Sequence, residues 1–165
     1  LKTLYFCRHA KSSWADPGMS DFDRPLNERG LRNAPMMSKI FAKRKEPVDL
    51  IVSSPANRAI TTAKFFANEL GITDNSFRTD PRIYEASVRA LLEVVNDLPD
   101  ECNSVMLFGH NPGFIEVVEA LGGASIGELS TCAIARIDLL MDDWKAAGRG
   151  TGSLAWLDYP KRHEV

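Results

Sequence analysis

Three short apolar runs, each rich in strand-forming residues, stop abruptly at a charged or chargeable side chain. Leu4-Tyr5-Phe6-Cys7 runs into Arg8-His9 and then the small and polar residues Ala10 to Ser13. Val105-Met106-Leu107-Phe108 runs into Gly109-His110. Asp49-Leu50-Ile51-Val52 runs into Ser53-Ser54-Pro55 and, one helical turn later, Arg58. Runs of this kind predict buried strands that deliver polar groups to loops. In an open parallel sheet, ligands sit in the crevice beyond the carboxyl ends of the strands. The three ends are therefore expected to converge on one pocket holding Arg8, His9, Arg58 and His110.

Helical spacing fills the intervals. Asn27 is positioned to cap a helix with Glu28 in its first turn, and Leu31, Ala34, Met37, Ile40 and Phe41 share one face. Pro35 lies inside this pattern and is expected to kink or split it. Ser54 as cap, Pro55 at the first helical position and Gly71 past the end bracket a helix from about Pro55 to Leu70. Leu91, Leu92, Val95 and Leu98 mark a third helix, and Phe114, Val117, Val118 and Leu121 a fourth that ends at Gly122-Gly123. Thr131 to Leu139 and Ser153 to Tyr159 read as two final strands able to pair as a hairpin. This order predicts one α/β domain over residues 1–165: a three-layer α/β/α sandwich, its central sheet mostly parallel with an antiparallel portion. The stretch Arg8 to Arg24 is a loop of a length commonly functional, and it is expected to form part of the pocket wall.

Composition narrows the field. The 165 residues suffice for one core without metals or disulfides. Lys and Arg number 20 against 22 Asp and Glu, with no strongly basic segment, which speaks against a nucleic-acid partner. The three cysteines, an odd and small number, fit a reducing cytosol rather than a disulfide framework. No signal-peptide pattern and no apolar run near the roughly 18 residues of a membrane span is present. A cytoplasmic protein without a membrane partner is the expectation.

Singly, a histidine or arginine at a strand end is usually a satisfied polar residue. Jointly they suit a phosphoryl group. A neutral imidazole attacks phosphorus once the phosphate charge is neutralised, and guanidinium groups do this through paired hydrogen bonds. Helix starts after Pro55 and His110 would add backbone N–H groups.

At these residues the sequence resembles the histidine phosphatase superfamily, also called phosphoglycerate mutase-like. Arg8-His9-Ala10 matches the family's Arg-His-Gly signature, and Lys11-Ser12-Ser13-Trp14 is similar to the residues next to that signature in the family. Ser54-Pro55-Ala56-Asn57-Arg58 matches its Ser-Pro-x-x-Arg segment, and Gly109-His110 its later Gly-His. Pro25-Leu26-Asn27-Glu28-Arg29-Gly30 is similar to the segment that opens its first helix. The resemblance implies a phosphoglycerate mutase-like fold, with His9 as the nucleophile that forms a phosphohistidine, and Arg8, Arg58 and His110 clamping the phosphate. It further implies a metal-independent phosphatase without a cofactor. The short length looks most like the SixA-type protein-phosphohistidine phosphatases, whose partner is a phosphohistidine-carrying protein.

The family's Gly is Ala10 here, which implies a backbone that does not need a glycine. Glu85 follows Arg58 at a spacing similar to that of the acid in mutase-type members, and is the candidate proton donor for an alkoxide leaving group; a helix-capping role is the plainer reading. Arg24 and Ser12 are candidate substrate contacts, against a solvated arginine and an ordinary turn. Two other activities compete with the leading one: hydrolysis of small-molecule phosphoesters, and phosphoprotein binding without turnover. A metalloenzyme built on His9 and His110 is disfavoured by the two arginines, which would repel a cation.

Overall fold

The computed structural model describes residues 1–164. Its elements are β1 (Lys2–Arg8), α1 (Glu28–Lys43), β2 (Leu50–Ser53), α2 (Asn57–Leu70), β3 (Phe77–Thr79), α3 (Val88–Asn96), β4 (Ser104–Gly109), α4 (Gly113–Gly122), β5 (Ile134–Leu139) and β6 (Gly152–Asp158). The six strands form one sheet in the order β3-β2-β4-β1-β5-β6. Pairings among β3, β2, β4 and β1 are parallel, whereas β5 is antiparallel to both β1 and β6. The predicted α/β architecture, mostly parallel with an antiparallel edge, is the one observed.

Strand alternation feeds two cores. Leu4 and Phe6 of β1, with Val105 and Leu107 of β4, join the side chains of α3 and α4, including Leu91, Val95, Phe114 and Val118. Tyr5, Cys7, Met106 and Phe108 point the other way, to Met37 and Phe41 of α1 and Phe66 of α2. Each central strand is therefore buried on both faces, as a parallel sheet with helices on each side requires. Burying a large apolar side chain contributes about 1.5–3 kcal/mol, and the three cysteines stay free.

The structure departs from the sequence reading in several places, and α3 ends at Asn96, short of Leu98. Helix α1 passes through Pro35 unbroken. The proline forfeits one backbone hydrogen bond, but Ala34, Met37 and Phe41 on either side of it are held in the core. Leu31, expected on that face, is 50% exposed. Helix α2 starts at Asn57 with Ala56 as its cap, and the Ser54 side chain accepts from the Ala56 N–H and meets His110 rather than capping the helix. Strand β5 starts at Ile134 rather than Thr131, since the preceding Cys132 adopts a left-handed φ of 61° while its N–H bonds back to the Arg8 and His9 carbonyls. No helix among the described residues is long and apolar enough to cross a membrane.

Candidate active site

Strand order makes the three ends neighbours, and register aligns them. Arg8 lies opposite Gly109, and Ser53 opposite Phe108. Just beyond, the His9 N–H donates to the Gly109 carbonyl at 3.0 Å and the Ser54 N–H to the Phe108 carbonyl at 2.8 Å. His9 and His110 thus leave adjacent strands at the same level, their rings 5.1 Å apart between centroids. Only glycine fits before His110: a Cβ on Gly109 would lie 2.6 Å from the Phe114 ring.

His9 is buried, and its Nδ1 lies 2.7 Å from the Ala10 carbonyl. A carbonyl only accepts, so Nδ1 carries the proton and Nε2 keeps its lone pair. Burial pushes the His9 pKa down to about 3, the Ala10 hydrogen bond opposing this and His110, Arg58 and Arg8 adding to it. The ring is therefore neutral at neutral pH. Ala10 is not among the residues of positive φ, and its N–H donates to the Thr62 hydroxyl at 3.0 Å, which explains why alanine serves there.

His110 places Nε2 2.8 Å from Ser54 Oγ, while its Nδ1 is buried without a hydrogen-bond partner. Burial again lowers the pKa, to about 4, with Arg58 contributing and Asp21 opposing.

Both arginines share this feature. Arg8 donates through Nη1 to the Leu129 carbonyl at 3.2 Å, and Arg58 through Nη1 and Nη2 to the carbonyl and carboxylate of Asp21 at 2.7 and 3.1 Å. In each, Nε is buried and unpartnered. Among the described residues, these three buried nitrogens on three chain segments thus lack hydrogen-bond partners, beside a neutral imidazole with a free lone pair.

Asp21, which sequence reasoning missed, ties the surroundings together. It sits in a 3-10 turn, Asp21–Asp23, within the loop after β1. Its carboxylate accepts from Arg24 at 2.8 and 3.2 Å, from Arg58, and from the Tyr84 hydroxyl at 2.6 Å. The Tyr84 hydrogen bond, then those of Arg24 and Arg58, hold its pKa far below the usual carboxylate range. Arg24 is buried and also donates to Ser12 Oγ at 2.7 Å, so these two residues brace the loop from within. The Arg24 guanidinium lies 3.5 Å from the centre of the Trp14 ring, which is itself 72% exposed. Nothing local signals the role of Asp21, because a loop has no hydrophobic period to place it.

Beside the four convergent residues opens a cleft of about 470 Å³ lined by Asp21, Arg58, Tyr84, Glu85 and His110 among others. Glu85, the candidate acid, is exposed in its wall and has a left-handed φ of 53°. Among the described residues no three of His, Cys, Asp and Glu gather as a metal site.

Comparison with known proteins places this geometry in context. The family model described as the histidine phosphatase superfamily (branch 1) matches residues 4–110. An uncharacterized chloroplastic protein of Arabidopsis thaliana is 30% identical over 164 residues, 94% of this chain and 74% of that protein. A candidate phosphoserine phosphatase of Hydrogenobacter thermophilus is 35% identical over 89 residues, 53% of this chain and 41% of that one. Among solved structures, a candidate phosphohistidine phosphatase, SixA, of Agrobacterium tumefaciens superposes with a TM-score of 0.81 at 29% identity, covering 96% of this chain and 98% of its own.

Proposed function

The chain belongs to the histidine phosphatase superfamily, and from that premise we propose that it hydrolyses a protein-borne phosphohistidine through a covalent intermediate on His9. The observation that carries this reading is the set of buried nitrogens without partners, Arg8 Nε, Arg58 Nε and His110 Nδ1, gathered around His9. Donors that cost free energy when left unpaired are repaid by an anion that accepts from all of them.

In this reading Nε2 of His9 attacks phosphorus as the bond to the leaving atom breaks, its electron pair going to that atom. The two guanidinium groups and His110 hold the phosphoryl oxygens, supplying the charge neutralisation without a metal. Water then attacks the phosphohistidine, the P–N electron pair returns to the imidazole, and inorganic phosphate departs. A nitrogen leaving group needs little help, so Glu85 is dispensable for it; an oxygen ester draws its proton from Glu85. The full-length likeness to the Agrobacterium protein supports the phosphohistidine substrate. So do Phe22, exposed against Tyr84 of the cleft, and Trp14, exposed over Arg24, as apolar surface for contact with a protein. The position of Glu85 in the cleft, with the partial likeness to the Hydrogenobacter protein, favours small phosphoesters as the second reading.

The test is brief exposure to a phosphohistidine carrier protein and to a panel of phosphate esters, followed by mass analysis of the His9 peptide. A transient phosphoryl adduct on His9, faster turnover of the carrier, insensitivity to a chelator and loss of activity in His9→Ala are expected. Tight binding with no adduct and no phosphate release would instead make the protein a phosphoprotein-binding module.

A further inference from the structure

The wall of the cleft beside His110 is anionic. Asp21 and Glu85 both line it, and Arg58 is the only lysine or arginine among its described lining residues. A bound phosphoryl dianion takes up the charges of Arg8 and Arg58. Arg24, behind Asp21 and outside the lining, offsets Asp21 alone. Glu85 is exposed and has no ion-pair partner among the described residues. With phosphate in place, no cation in this cleft is left for a second anionic group, and one carboxylate stands uncompensated. Asp21 cannot swing away, because Arg24, Arg58 and Tyr84 all hold its carboxylate. Lys11 and Arg29 line a separate cleft together with Arg8.

The leaving group has reason to occupy the acidic cleft. Of the three residues around His9 with buried, unpartnered nitrogens, two border it, and one of these, Arg58, is only 6% exposed. We infer that Asp21 and Glu85 are specificity-determining residues, selecting substrates whose leaving group is a neutral or cationic nitrogen and rejecting those that carry a carboxylate. This rests on the phosphoryl-transfer reading above. An imidazole leaving group protonated on its far nitrogen would sit against the two carboxylates as a cation. A carboxylate on the leaving group would face like charges at close range.

Phosphonates test this on the unmodified chain, since their C–P bond survives the nucleophile. Dissociation constants of aminoethylphosphonate, ethylphosphonate and phosphonoacetate, which differ chiefly in the charge of one end, should rise in that order. A spread of about tenfold or more between the ends is expected. Glu85→Gln, which breaks no ion pair, and Asp21→Asn should each narrow the spread. Any general weakening from loosening Arg58 in Asp21→Asn cancels in the ratio. If inorganic phosphate binds but phosphonoacetate binds as tightly as aminoethylphosphonate, or the spread survives both substitutions, the charge selection is overturned while the phosphoryl pocket stands. If neither phosphate nor any phosphonate binds, both readings fall.

Discussion

At His110 the Ser54 hydroxyl bears on which ring nitrogen carries the proton. Its Oγ accepts from the Ala56 N–H at 3.2 Å and lies 2.8 Å from His110 Nε2. When the hydroxyl donates to Nε2, the neutral ring keeps its own proton on Nδ1, the nitrogen without a partner among the described residues. Ser54→Ala removes this bias, and kcat/KM is expected to fall about tenfold. The loss should be deepest above pH 5, where the ring is neutral and the tautomer matters, with the urea midpoint lowered only slightly. A uniform loss across pH would assign Ser54 a merely structural part. The convergence of His9, Arg8, Arg58 and His110 was legible from strand ends and the helix that follows one of them, but the Ser54 hydroxyl was read as a helix cap. Both roles start from the same local motif, and only the position of β4 beside β2 decides between them.

Helices here act as braces for loops. The first turn of α1 presses on the segment after His9: the Asn27 N–H donates to the Lys11 carbonyl at 3.0 Å, and a Cβ on Gly30 would lie 2.2 Å from that same oxygen. Glycine to alanine inside a helix ordinarily stabilises by up to about 1 kcal/mol. Gly30→Ala should do the reverse, costing about 1–3 kcal/mol in chemical denaturation through forced displacement of backbone. Because Lys11 and Ser12 move with it, KM should rise more than kcat falls. Asn27 as the cap of α1 was legible, and its side chain does accept from Gly30 N–H. The continuity of α1 through Pro35 was not, because a propensity penalty is local whereas the packing that overrides it comes from the sheet.

Over the whole molecule, the two buried histidines make stability depend on pH. Their folded pKa values, about 3 and about 4, lie below the ordinary value near 6.5 that the unfolded chain regains. Between those limits the unfolded state binds more protons. Stability should therefore be full above pH 6.5 and fall as pH drops through the window, with a slope approaching about 1.4 kcal/mol per pH unit for each histidine. Asp21, whose pKa is lowered, contributes stability above the unfolded carboxylate value and adds to the loss at the acid end. Urea midpoints taken from pH 7 to 4.5 should decline, and His110→Gln should flatten the decline. Identical slopes for the two chains would refute the buried, neutral state of His110.

From the sequence alone came the number and kind of most elements, the period-2 strands that feed both faces of the sheet, and the side chains placed at three strand ends. These depend on near neighbours along the chain, whose spacing is written directly in the residues. Tertiary structure alone set the order β2-β4-β1 that makes those ends adjacent, and the path of the loop that carries Asp21 back onto Arg58 and Tyr84. Strand order and loop path come from packing between segments many residues apart, and no local period records which distant partner a side chain will meet.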